Sequence, residues 1–210
     1  MTAQQEIEAA ARRIMPPGLA CAVEEIGDPA ARLLPLEAKA VACAVPKRQA
    51  EFAAGRLAIR RACARAGMAL PALQPIGILP DRRPDLPPGL AVSLSHSARF
   101  CVALATRDTR LMPGVDLEPM AARLPEGMAE IIAPFRISAE GVPDELLCFC
   151  AKEAVYKSQF PQSLQMLDFS DLALVVRGRR FRAQLGCGAV ISGRWEIAEG
   201  HLLAISWRSR

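Results

Sequence analysis

Hydrophobic and polar positions along this chain repeat with two periods, and the switches between them mark out its elements. Helical spacing over residues 7–14 predicts a short amphipathic helix, stopped by Pro16-Pro17-Gly18. Residues 19–26 alternate up to Gly27-Asp28-Pro29 and predict a strand. A helical pattern covers residues 36–66 with an interruption at Pro46, where the ring removes a helix donor. Proline punctuates residues 74–89 too often for a helix, which predicts an ordered surface loop. Strands follow at 90–94, running into Ser95-His96-Ser97, and at 100–105. In residues 112–118, Val115 and Leu117 alternate with Asp116 and Glu118, the period of a strand. Residues 119–134 predict a short helix flanked by loop, and Asp144 caps a helix that runs through Lys157 and stops at Pro161. Apolar runs at 172–176, 181–185, 189–196 and 202–207, separated by glycine turns, predict a meander. The passage at 108–113 is the natural seam, dividing the chain into halves 1–110 and 111–210. Each half combines helix with antiparallel strands, an α+β organisation without a strict sequence repeat.

Composition narrows the class. The chain has 210 residues, 51% of them hydrophobic, enough for one sizeable core or two small ones that share a boundary. A net charge of +4 is too small for a dedicated duplex-DNA binder, yet it suits an acidic ligand or partner. No apolar run reaches the ~20 residues that span a bilayer, and the first residues do not form a signal peptide. The expected location is the cytoplasm. Seven cysteines without a C-x-x-C pair fit that compartment, most of them as small buried hydrophobes, and with two histidines they offer no zinc-ligand spacing.

Candidate chemistry comes from three clusters. Asp116 and Glu118 point to one face of their strand, where like charges repel unless solvated or shared by a cation. A hard divalent ion would resolve the conflict, with Glu153 as third ligand, although an edge strand with a wet acidic face would read the same. Glu153 and Lys157 stand one helical turn apart, a spacing common to ordinary surface pairs. Arg48, Arg56 and Arg60 recur near the helical period, either as a solvated basic face or as a row of phosphate-binding guanidiniums. Ser95 and His96 end a strand, where hydroxyl and imidazole could hold a phosphate.

Taken together, these motifs resemble a known family. Arg48-x-x-Glu51-Phe52-x-x-Gly55-Arg56, Arg82-x-Pro84-x-x-Pro87, Ser93-x-Ser95-His96, Gly114-Val115-Asp116-Leu117-Glu118 and Ala151-Lys152-Glu153-Ala154-x-x-Lys157 occur in order between about residues 35 and 176. The set is similar to the 4′-phosphopantetheinyl transferases that activate enterobactin and surfactin synthetases, the enterobactin-like branch above all. Where that branch usually has tryptophan in the Arg-x-Pro segment, this chain has Leu86.

The resemblance implies a monomer of two similar halves, each a helix on a small antiparallel sheet, with coenzyme A in the cleft between them. It implies transfer of phosphopantetheine to a serine of an apo acyl or peptidyl carrier protein, serving secondary-metabolite or siderophore synthesis and releasing 3′,5′-ADP. Mg²⁺, with Mn²⁺ as a second candidate, would be held by Asp116, Glu118 and Glu153. Glu153 would be the base and Lys157 would assist the leaving oxygen. Arg48, Arg56, Arg82, Ser95 and His96 would bind coenzyme A together with Asp116 and Lys157. Neither nucleic acid nor membrane is an expected partner. A metal-dependent phosphodiester hydrolase and a non-catalytic module that binds coenzyme A or carrier protein are the competing readings.

Overall fold

Thr2 starts the first helix as a capping box: its Oγ accepts from the Gln5 amide at 3.3 Å and the Gln5 side chain accepts from the Thr2 amide at 2.9 Å. In the computed structural model, which describes residues 1–209, this helix is α1 (Ala3–Ile14), followed by strand β1 (Ala20–Glu25). Helix α2 (Pro35–Ala40) precedes the longer α3 (Pro46–Arg65). Pro46 starts α3, because a first-turn proline gives up an amide that would have had no helical partner. The predicted loop carries a small hairpin, β2 (Gly77–Ile78) and β3 (Pro84–Asp85). Strands β4 (Ala91–His96), β5 (Phe100–Thr106) and β6 (Leu111–Pro119) follow, then helix α4 (Met128–Ile131) and strand β7 (Phe135–Ser138). Helix α5 (Asp144–Ser163) leads through a 3₁₀ turn at Phe169–Asp171 into the meander β8 (Leu172–Arg177), β9 (Arg180–Leu185), β10 (Val190–Ala198) and β11 (His201–Ser209).

The strands form two main sheets of unequal size. One has the order β1-β5-β4 and the other β6-β11-β10-β9-β8-β7, antiparallel throughout except for the parallel pair β7–β8. The α+β class holds, while the second sheet is larger than the small one expected. Strand β7 escaped the sequence reading because Phe135 and Ile137 are too few apolar positions to establish a period. Residues 119–134, expected to hold a short helix flanked by loop, contain the single turn of α4, which starts after Pro125 and the left-handed Gly127 (φ 79°). At α5 the N-cap is Pro143, and Asp144 and Glu145 sit in the first turn against the positive end of the helix. Pro161 does not end α5; the helix continues to Ser163 and closes at the left-handed Leu164 (φ 53°).

The expected seam at 110/111 falls between β5 and β6, yet α1 packs on elements from either side of it. Ile7, Ala11 and Ile14 share one buried cluster with Val23, Val102, Val115 and Ile205, and Arg13 forms a two-pronged ion pair with Glu196 of β10. Five cysteines are buried, as expected, and Cys43 and Cys187 are exposed. Among the described residues no helix is long and apolar enough to cross a membrane.

Two local constraints set the positions of the elements that bear the candidate residues. Gly114 lies where a Cβ would come 1.9 Å from the Ala154 carbonyl oxygen of α5 and 2.6 Å from Ser206 Oγ. With only hydrogen there, α5 rests directly on β6, and Ser206 Oγ donates to the Ala154 carbonyl at 2.8 Å. The second constraint ties the proline-rich loop to α3. Arg56 donates to the carbonyls of Ile76 (3.0 Å) and Gly77 (3.1 Å), and Arg60 donates to that of Gln74 (2.8 Å). Glu37 is buried beneath them and accepts from Arg60 (2.6 Å), the Ile76 amide (2.8 Å) and the Leu34 amide (2.9 Å).

Gly114→Ala is expected to destabilise the protein by roughly 1–3 kcal/mol, because neither the backbone of α5 nor that of β6 can yield cheaply. Gly186→Ala, where a Cβ meets nothing within 4 Å, serves as the near-neutral control in the same urea titration. Glu37→Ala removes the acceptor of a largely buried arginine and is expected to cost about 3 kcal/mol, read from the same midpoints.

Candidate active site

The centre of the site is a buried carboxylate where the edge strand β4, the middle of β6 and helix α5 meet. Asp116 is 3% exposed. Lys157 Nζ donates to Asp116 Oδ1 at 2.7 Å and to Ser95 Oγ at 3.1 Å, and Ser95 Oγ donates to the same Oδ1 at 2.8 Å. β4 and β6 belong to different sheets, and side chains join them: Ser93 Oγ accepts from the Val115 amide at 3.0 Å. Both serines therefore stitch the two sheets together where Asp116 emerges.

Around this carboxylate the charges are unbalanced. Burial first, and then the charges of Asp116 and Glu153, push Glu118 up to about 7, with Lys157 pulling the other way. Glu153 is raised as well, by burial and then by Asp116, again against Lys157. Burial alone would lower Lys157, but Asp116 and Glu153 outweigh it and hold the amine above its ordinary value, so it stays an ammonium. Its side chain is 26% exposed, which leaves it open to a ligand. One cation thus serves three acidic groups.

As the side chains stand, no three of the described His, Cys, Asp or Glu residues gather closely enough to hold a metal ion. The expected ready-made trio of Asp116, Glu118 and Glu153 is absent in that form, because Lys157 and Ser95 already occupy Asp116 Oδ1. Asp116 Oδ2 is different: it is buried and has no hydrogen-bond partner among the described residues. An orphaned carboxylate oxygen beside two carboxyls raised by burial fits a hard cation.

The arginine row splits in two. Arg48 is half exposed at the start of α3, its Nη1 3.2 Å from Glu51 Oε2 and 3.4 Å from His96 Nε2, so these predicted residues do meet. Arg56 is 5% exposed, stacked 4.0 Å over the Phe52 ring and engaged with the Ile76 and Gly77 carbonyls. Burial lowers it to about 10. Arg60 is likewise taken up by Glu37. Of the single basic face expected on α3, Arg48 alone stays open, and the two others support the loop. Arg82 is exposed at the tip of the β2–β3 hairpin, in the left-handed region at φ 69°. Its neighbour Arg83 holds Asp81 (2.7 Å) and lies 5.8 Å over the Phe160 ring of α5, which brings the hairpin across to the other half. Leu86, standing where tryptophan was expected, packs against the cluster of α3 and β5.

Two residues of the site's support were not anticipated. Lys152 is 0% exposed, and its Nζ donates to the Phe169 carbonyl at 2.7 Å, pinning the 3₁₀ turn to α5. A lysine between apolar positions of a helix was the available signal. Glu37 gave none, because its partners lie far along the chain at Arg60 and Ile76.

Residues 36–106 match the 4′-phosphopantetheinyl transferase N-terminal domain family. The chain is 35% identical over 196 residues to the 4′-phosphopantetheinyl transferase Svp of Streptomyces mobaraensis, covering 82% of this chain and 77% of that protein. It is 32% identical over 196 residues to the 4′-phosphopantetheinyl transferase PptT of Mycobacterium tuberculosis, covering 81% and 83%. The corresponding transferase Npt of Nocardia iowensis is 29% identical over 197 residues, covering 80% and 86%. Identity of that extent over about four fifths of the chain makes this chain a member of the 4′-phosphopantetheinyl transferase family, enzymes of the holo-carrier-protein synthase type.

Proposed function

We propose that this protein moves the phosphopantetheine group from coenzyme A to a serine of an apo acyl or peptidyl carrier protein and releases 3′,5′-ADP. The observation that carries the proposal is the buried Asp116, bound by Lys157 and Ser95 through one oxygen and left with the other unpartnered among the described residues. The reaction would take place in the cleft between the halves 1–110 and 111–210, by a monomer in the cytoplasm.

Arg48 and His96, 3.4 Å apart, would grip the 3′-phosphate of coenzyme A, where an arginine and an imidazole can share one anion. Arg82 would add a guanidinium from the hairpin tip. Arg56 would act by holding the loop at Ile76 and Gly77 against α3. Glu153, raised by burial, would take the proton from the carrier serine as its oxygen attacks the phosphorus bearing pantetheine. The new serine O–P bond forms as the P–O bond to 3′,5′-ADP breaks, and the Lys157 ammonium stabilises the oxygen that leaves. Ser95, bonded to both Lys157 and Asp116, would keep that ammonium aimed. Mg²⁺, held by Asp116, Glu118 and Glu153, would neutralise the pyrophosphate charge.

Glu153→Ala and Asp116→Ala are each expected to lower transfer by at least about 100-fold while the protein remains folded. The measurement is mass spectrometry of an apo carrier incubated with coenzyme A and Mg²⁺. Near-normal turnover by either variant overturns the assignment, and coenzyme A breakdown without carrier would identify a hydrolase instead. Chelation by EDTA is expected to stop transfer, and added Mg²⁺ to restore it.

A further inference from the structure

α5 covers one face of the six-stranded sheet, where Leu174, Val176, Phe181, Ala183 and Trp195 join its cluster. α1 reaches the opposite face only along β10 and β11, and the rest of that face is open. Side chains alternate along a strand, so the register sets Arg136 of β7, Arg177 of β8, Arg180 and Arg182 of β9, and Arg194 of β10 on this open face. Arg177 stands opposite Arg180, and Arg180 opposite Arg194, a row of guanidiniums across neighbouring strands. Like charges directly opposite repel.

None of these arginines has an ion-pair partner among the described residues. The next acid along the same face of β10, Glu196, is taken by Arg13 of α1. Val175 and Val190 lie on this face, 41% and 53% exposed, and a depression of about 190 Å³ opens between Arg180, Arg182, Arg194 and Trp207.

We propose that this face docks an acidic protein surface, with carboxylates opposite the guanidinium row and apolar side chains against the valines. Arginine beside exposed aliphatic groups is the composition of a protein interface. Single-stranded nucleic acid calls for aromatic platforms, and Trp207, the aromatic at the rim, is packed against the α1 cluster with Arg194 5.7 Å above its ring. A lipid surface calls for large protruding apolar groups, which this flat face lacks among its described residues. Docking here leaves Glu153 and Lys157 accessible on the α5 side of the sheet, so the surface is separate from the transfer chemistry.

The test is fluorescence anisotropy with a labelled glutamate-rich peptide carrying interspersed leucines, alongside oligo-dT and phosphatidylserine vesicles. The peptide is expected to bind, to weaken as salt rises, and to bind roughly tenfold less well to Arg177→Ser/Arg180→Ser/Arg194→Ser. A second variant, Arg136→Ser/Arg182→Ser, is expected to weaken it too, while Arg48→Ala leaves it unchanged. Both sheet variants are expected to keep the melting temperature and transfer to an isolated carrier, and the binding readout stands whether or not transfer is observed. Absence of peptide binding, affinity in both sheet variants equal to that of the unsubstituted protein, or tighter binding of oligo-dT or vesicles through the same arginines overturns the proposal.

Discussion

The absence of a side chain at Gly114 allows α5 to lie on β6 at a distance that any larger residue would forbid. This contact sets the height of Lys157 over the strand two positions before Asp116 emerges, and the 2.7 Å bond between them follows from it. Glu153, one turn earlier on the same helix, is carried to the same carboxylate. The backbone approach thus comes first, and the charge arrangement depends on it. Ser206, bonded to the Ala154 carbonyl, satisfies a buried helix acceptor at the point of closest contact.

Electrostatics explains why such a site is stable yet unfinished. Burial first, and then repulsion from Asp116, makes the Glu118 and Glu153 carboxyls retain protons more readily than they would in water, against the pull of Lys157, and one oxygen of Asp116 stays without a donor among the described residues. In the absence of an added cation, Lys157 is the internal counterion that makes burial of Asp116 tolerable. Support comes from farther out: Lys152 anchors the turn after α5, while Arg56, Arg60 and Glu37 anchor the loop before β4. These cations spend their donors on backbone carbonyls, which fixes segments that have no regular ladder of their own.

Most of the fold was legible because its elements are long enough to display a period. The meander from β8 to β11 and the helices α3 and α5 announce themselves by spacing and by glycine or proline punctuation. Strand β7 did not, being four residues long and dependent on β8 for its pairing. The same limit applies to the arginines of α3. Their spacing correctly put them on a helix, but which of them remains open depends on where residues 74–77 fold back, and that is a long-range contact.

Sequence alone determined the chemistry available: the acidic pair on one strand, the Glu-Lys turn on one helix, the serine-histidine strand end, and through them the family. These are local properties, set by alternation along a strand and rotation along a helix. Tertiary structure decided which groups meet. It joined Ser95, Asp116 and Lys157, diverted Arg56 and Arg60 into support, laid α1 across both sheets, and left a row of arginines uncovered on the far face. The reason is physical: charge and hydrogen-bond partners are chosen by distance after the chain has packed, and spacing along the chain does not encode that distance.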